Sequence, residues 1–171
     1  MKGLSLVEAL VSILIFSLIM IAIVASVVVG RNSLFTTDTP TELRQNVLFS
    51  VMSISRELRK TAPSRTNLAA GASSNSLTFQ VPFDNNGDGL TVDYAGNIEW
   101  GTAITYSLNG SSQLIRTQGG VTSVVSPNIA LLQFSRSATE DKIIQVDITA
   151  QKVTGAGNWQ DSEQAIIRMR N

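Results

Sequence analysis

The chain has 171 residues, with 13 Lys and Arg against 13 Asp and Glu, so it has no formal net charge that would favour nucleic acid or anionic lipid. It contains no histidine and no cysteine, which excludes Ser-His-Asp and Cys-His nucleophilic catalysis, imidazole or thiolate metal sites and disulfide bonds. The length indicates one domain with an additional segment, or two small domains.

A long apolar segment from Ala9 to Val29 lies near the amino terminus. No charge and no proline interrupts it, and the hydroxyls of its serines can bond to the helix backbone. It exceeds the apolar core of about 7–15 residues that a secretory signal peptide has. We therefore predict a retained transmembrane helix with a cytoplasmic amino terminus.

A single carboxylate stands just before this segment, in the run Gly3-Leu4-Ser5-Leu6-Val7-Glu8. A charged side chain in a membrane helix costs roughly 2.5–3.5 kcal/mol on insertion scales. Such residues are usually functional, so Glu8 is the strongest candidate site residue in the sequence.

The next part of the chain has the spacing of an amphipathic helix. Thr39-Pro40 is typical of a cap followed by proline in the first helical turn, and predicts a restart or a kink. Pro63 ends the pattern, so we expect one long helix from Leu4 to about Ala62. Its outer half would bury a stripe formed by Leu43, Val47, Val51, Ile54 and Leu58.

Basic residues cluster near the end of this helix, at Arg56, Arg59, Lys60 and Arg65, with Glu57 among them. Such a cluster is more often a solvated helix face than a binding patch. Both interpretations stay open from the sequence.

The second half of the chain has strand patterns separated by Gly and Asn. A loop is expected over Ala62–Asn75, and Asn109-Gly110 indicates a hairpin turn. The fold class is therefore α+β, with the outer half of the helix packed on a mostly antiparallel sheet. The expected strands are Leu77–Phe83, Ile104–Leu108, Leu114–Thr117, Ile129–Ser135, Lys142–Lys152 and Ala165–Arg170.

The Gly3–Glu8 run, followed by the apolar helix, resembles the class III signal of type IV pilins and type II secretion pseudopilins. The resemblance implies a pilin-like fold. It also implies that a prepilin peptidase cuts between Gly3 and Leu4 and methylates the new amino terminus. Leu4 occupies a position where many members of the family have phenylalanine.

Further residues are similar to the J-type pseudopilins (GspJ) and the PilW-type minor pilins. They are Arg44-Gln45-Asn46, Arg56-Glu57-Leu58-Arg59-Lys60, Tyr106, Leu114-Ile115-Arg116 and Arg170-Asn171.

The resemblance implies a structural subunit, not an enzyme, that joins or primes a type IV pilus or a type II secretion pseudopilus. Residues 1–3 would be the leader, 4–30 the transmembrane half of the helix, 31–62 its amphipathic half, and 63–171 a β-rich head. The implied partners are other pilin or pseudopilin subunits, the prepilin peptidase and the inner-membrane assembly platform; nucleic acid is not an expected partner. The implied location is the bacterial inner membrane, then a periplasmic or cell-surface filament.

The position of Glu8 supports assembly on physical grounds. In a filament, the terminal ammonium of a neighbouring subunit can approach this carboxylate, and a buried charge pair of that kind fixes register. Glu8 would then select the stagger between apolar helices.

Two alternatives from other functional classes stay open. One is a tip-exposed adhesin or DNA-uptake module, with its specificity in Asp84–Gly101 and Thr154–Glu163, which an exposed basic or aromatic patch there would favour. Trp100 and Trp159 could serve as exposed adhesive residues, but such residues are more often packed in a core or at its edge. The other is a membrane-anchored extracytoplasmic domain that does not polymerise, in which Glu8 lies at the lipid headgroups.

A loop at Asp84–Gly89 has the oxygen spacing of a calcium loop. Asp84, Asn86 and Asp88 would supply side-chain oxygens, and Asp93 would replace the closing glutamate that is missing at Ala95. The alternative is a tight turn that uses the same Asp, Asn and Gly residues for left-handed backbone angles. The sequence leaves both open, so Ca²⁺ is a candidate cofactor only.

Overall fold

The computed structural model describes residues 6–155 and 157–170, apart from the side chains of residues 31–37. The chain divides into two compact units, Met1–Thr39 and Pro40–Asn171, and we call the second one the head unit. The described elements are helix α1 (Leu6–Leu58), a 3₁₀ helix (Pro63–Arg65) and strands β1 (Ser73–Ser74), β2 (Leu77–Phe79), β3 (Ile104–Leu108), β4 (Leu114–Gln118), β5 (Val121–Ser126), β6 (Ile129–Arg136), β7 (Ile143–Thr154) and β8 (Gly157–Arg168).

Helix α1 continues through Pro40, so of the restart or kink predicted there, the restart is not observed. An interior proline removes one backbone hydrogen bond and crowds the carbonyl four residues earlier, but the turns on either side can maintain the helix. The helix ends at Leu58, before the predicted Ala62, because the amides of Lys60 and Thr61 bond to carbonyls only three residues earlier. The predicted first residue, Leu4, lies outside the described residues.

The buried stripe of the helix in the head unit is close to the predicted one. Leu43, Val47, Ile54 and Leu58 are almost completely buried, as expected. Val51 is only half-buried, and Ser50 occupies the buried position beside it. The Ser50 hydroxyl can be buried because it donates a hydrogen bond to the Asn46 carbonyl at 2.7 Å.

The strands form two four-stranded sheets, where the sequence predicted one. The first sheet has the order β2-β3-β4-β5 and the second has the order β1-β6-β7-β8; every pairing is antiparallel. The chain passes from one sheet to the other between Ser126 and Ile129, where Asn128 has a φ of 60°. Strand periodicity does not specify pairing partners, which is why this change of sheet was missed.

Several strand boundaries also differ from the sequence prediction. The first predicted strand ends at Phe79, because Pro82 has no amide and forms only an isolated bridge with Trp100. The last strand is much longer than expected and begins at Gly157. Strands β1 and β5 were not predicted. The hairpin at Asn109-Gly110 is confirmed, and it joins β3 to β4.

One hydrophobic core holds the head unit together. It combines the buried stripe of helix α1 with inward-facing residues of both sheets, so the helix is the common partner of the two sheets. The sheet residues in this core include Phe79 and Tyr106, whose rings stack at 6.1 Å, and Phe134, Ile144, Val146, Ile148 and Ile167.

Candidate functional site

The segment Leu6–Gly30 of helix α1 is a fully exposed apolar surface. Its 25 residues are long and apolar enough to cross a membrane, and none is buried within the described chain. At about 1.5 Å per residue it extends for about 37 Å, which exceeds a hydrocarbon core of about 30 Å. A helix that is apolar on every side requires either lipid or other protein around it.

Three serines interrupt this segment without adding an unsatisfied donor. The hydroxyls of Ser12, Ser17 and Ser26 each donate to the carbonyl four residues earlier, at 2.8–2.9 Å. Because these donors are satisfied within the helix, the serines are compatible with a lipid or helix–helix environment.

Glu8 lies in the first turn of the described helix and is exposed. Its backbone carbonyl accepts the hydrogen bond from Ser12. A carboxylate near a helix amino terminus is favoured by the positive end of the helix dipole. The two predicted processing residues, Gly3 and Leu4, lie outside the described residues.

In the head unit, the carboxylate of Glu57 joins helix α1 to the first sheet. It pairs with Arg116 of β4, with Nε and Nη2 both 3.0 Å from Oε1. Its Oε2 accepts a hydrogen bond from the Tyr106 hydroxyl at 3.0 Å, and Ser53 lies 3.2 Å from that hydroxyl. Three elements therefore meet at one carboxylate.

Burial, together with the adjacent Glu57 charge, raises the pKa of Tyr106 to about 12, against an opposing hydrogen bond from Ser53. Burial is the largest single influence on the pKa of Arg116 and lowers it, but the hydrogen bonds and charge interactions with Glu57 and Tyr106 together outweigh burial and raise that pKa. At neutral pH the cluster therefore consists of an ion pair and a protonated tyrosine. This arrangement is suited to fastening the helix to the sheet.

A second, more exposed ion pair joins the same helix to the second sheet. Lys152 of β7 lies 2.6 Å from Glu42, and the Asn128 amide donates to the same carboxylate at 3.3 Å. The helix is thus tied to each sheet by one glutamate.

The candidate calcium loop folds around its own backbone amides. The Asp84 carboxylate accepts hydrogen bonds from Gly87 at 2.6 Å and from Gly89 at 2.7 Å. Both glycines have positive φ angles, near 81° and 83°, as a tight turn requires. Asn86 and Asp88 each accept one amide hydrogen bond from the residue two positions later.

Asp93 belongs to a separate turn, where it accepts hydrogen bonds from the amides of Ala95 and Asn97. The pKa of Asp84 is lowered mainly by its hydrogen bond from Gly89, and the pKa of Asp93 mainly by that from Asn97. Both carboxylates are therefore stabilised as anions by their own loops.

Within the described residues, no group of three or more Asp, Glu, His or Cys is placed to hold a metal ion. The amide contacts are those that the turn interpretation requires, although a carboxylate oxygen has a second lone pair. Calcium binding at this loop stays an untested alternative to the turn.

One of the two regions assigned to an adhesin differs from the sequence expectation. Thr154–Glu163 is not a loop, because most of it belongs to the paired strands β7 and β8. Trp159 packs against the core, and the Trp100 ring lies 5.1 Å from the guanidinium of Arg65. Both indoles are half-buried, so neither is a fully exposed binding residue.

Sequence reasoning did not identify the two glutamate contacts. Glu57 offered a signal, since it is the single acidic residue within a basic run on a predicted amphipathic helix. Its partner, Arg116, lies 59 positions away, and Lys152 lies 110 positions from Glu42. No local pattern specifies partners at such distances.

Comparison of the chain with protein-family models, with curated proteins and with solved structures gave no match. A functional assignment therefore depends on three features of the chain: the exposed helix Leu6–Gly30, the carboxylate at its start and the architecture of the head unit.

Proposed function

We propose that this chain is a minor pilin or pseudopilin, a structural subunit that joins or primes a type IV pilus or a type II secretion pseudopilus. The observation that supports this most is the placement of Glu8. It is the single charged residue of the Leu6–Gly30 helix, and every side chain of that helix is exposed.

Such a helix can be covered either by lipid or by other protein. In a bilayer, lipid tails cover its apolar side chains; in a filament, the apolar helices of neighbouring subunits do so. A carboxylate would be a costly feature for simple anchoring, but in a filament it can pair with the terminal ammonium of the next subunit. Glu8 then sets the stagger between subunits.

The head unit has the parts that such a subunit would require. Its helix shares one core with both sheets, so it can remain folded while the apolar segment exchanges lipid for neighbouring helices. In this proposal, the prepilin peptidase removes Met1–Gly3 and methylates Leu4 at the inner membrane. The assembly platform then transfers the processed subunit into a periplasmic or cell-surface filament.

The proposal is tested by the form and location of the native protein. We expect a mass that corresponds to loss of Met1–Gly3 with one added methyl group, and co-purification with sheared filaments or cross-linked pseudopilus subunits. An unprocessed chain that stays monomeric in the membrane fraction would contradict it, and would favour a non-polymerising anchored domain. Copy number relative to other pilins then distinguishes a minor from a major subunit.

A further inference from the structure

A groove with a positively charged rim lies on the head unit, beside the last turns of helix α1. Two cavities of about 690 and 360 Å³ adjoin there, because Lys60 and Arg170 line both. We call this feature the cationic groove and define it by Phe49, Met52, Arg56, Arg59, Lys60 and Arg170.

The four cations of this groove have no anionic partner in the described part of the chain. All four are exposed, and no carboxylate lines either cavity. The neighbouring Glu57 is committed to Arg116 and Tyr106. The cationic groove is therefore a local region of positive potential on a chain with no net charge.

The groove also has an apolar surface that folding does not cover. Phe49 is 59% exposed and Met52 is 69% exposed, although both lie on a helix whose opposite face is in the core. The smaller cavity adds Val92, Ile98 and Trp100 to its walls. Exposed methionine and aromatic side chains beside charged residues are typical of surfaces that bind an amphipathic helix.

We propose that the cationic groove binds an acidic amphipathic segment of a partner protein. Its apolar side chains would contact Phe49 and Met52, and its carboxylates would contact the four cations. Charge complementarity favours this occupant, since a neutral apolar helix would leave the cations without anions. A nucleic acid fits less well, because Arg65 already lies over the Trp100 ring, on which a base would stack. The inference does not depend on polymerisation, since every residue involved belongs to the head unit.

The test measures binding of a fluorescent amphipathic peptide of leucine and glutamate to the full chain in a non-ionic detergent. A peptide with glutamine in place of every glutamate is the matched probe. We expect binding of the acidic peptide to weaken about tenfold in the double variant Arg59→Gln/Lys60→Gln, and to weaken with added salt. Arg44→Gln, which removes an exposed cation elsewhere on the helix, should leave the affinity unchanged.

A second variant separates the apolar contribution from the charge. Met52→Ser should also weaken binding several-fold, while its thermal unfolding, followed by tryptophan fluorescence, stays like that of the wild type. Equal binding of the two peptides, or equal binding by Arg59→Gln/Lys60→Gln and the wild type, would overturn the proposal. Tighter binding of a single-stranded oligonucleotide at this groove, or self-association lost in the double variant, would overturn it in favour of nucleic acid or a second copy.

Discussion

Glu57 and Arg116 form an ion pair between helix α1 and the first sheet, with two guanidinium nitrogens 3.0 Å from one carboxylate oxygen. Their side chains are only 18% and 24% exposed, so water screens the pair weakly. This contact lies at the edge of the core. Because it engages the Glu57 carboxylate, the nearby cations Arg56, Arg59 and Lys60 have no carboxylate partner among the described residues.

We expect Glu57→Gln to destabilise the head unit by about 2 kcal/mol, because it leaves the half-buried Arg116 without its counter-charge. The free energy of unfolding can be measured by urea denaturation of the full chain in detergent. Tryptophan fluorescence is a suitable readout, since Trp100 and Trp159 both lie in the head unit. A loss no larger than that of the exposed control Glu140→Gln would contradict this role.

Glu42→Gln should cost much less, about 0.5 kcal/mol, because the Lys152–Glu42 pair is 35% and 43% exposed. The same denaturation experiment gives the comparison. If Glu42→Gln proved more destabilising than Glu57→Gln, burial would not be the property that determines the strength of these two contacts.

Tyr106 should make stability fall at alkaline pH. Its folded pKa of about 12 lies above the unfolded value of about 10, so its contribution is complete below pH 10 and is lost as the pH rises toward 12. In a Tyr94→Phe background Tyr106 is the remaining tyrosine, so the tyrosinate absorbance reports it alone. A midpoint near 10 in the folded protein would show that the hydroxyl is not held as described.

The Asp84 loop should fold without calcium. Because Asp84, Asn86 and Asp88 already accept amide hydrogen bonds from their own loop, we expect the same melting temperature with calcium and with a chelator. A bound ion at about 100 times its dissociation constant would stabilise the fold by about 2.7 kcal/mol. A rise in melting temperature of that size, absent in Asp84→Asn, would establish the calcium site.

The sequence predicted those features of the head unit that depend on local spacing. The helix stripe, the Asn109-Gly110 hairpin and most strands follow from periodicity and turn residues within a few positions of one another. The division into two sheets could not be predicted, because it depends on a corner at Asn128 and on pairing between distant strands.

The candidate site residues, too, could be predicted only where the signal lies within a short stretch of sequence. Glu8 was recognisable because a charge in an apolar run is conspicuous within a short window. The partners of Glu57 and Glu42, and the convergence of Lys60 with Arg170, depend on tertiary contacts between residues distant in the sequence. Val51 packs against the core as predicted but is only half-buried, and the helical period alone does not show that Ser50 beside it is buried with its hydroxyl bonded to the helix backbone.

The most direct test of the central claim is Glu8→Gln, which keeps the shape of the side chain and removes its charge. The measurement is the amount of the chain recovered in sheared filaments or cross-linked subunit complexes, relative to the amount processed in the membrane, with Ser12→Ala as the matched control in the same part of the helix. We predict normal processing but about a tenfold loss of incorporation for Glu8→Gln, as expected for loss of about 1.4 kcal/mol of pairing energy, and wild-type incorporation for Ser12→Ala. Unchanged incorporation of Glu8→Gln would contradict the account.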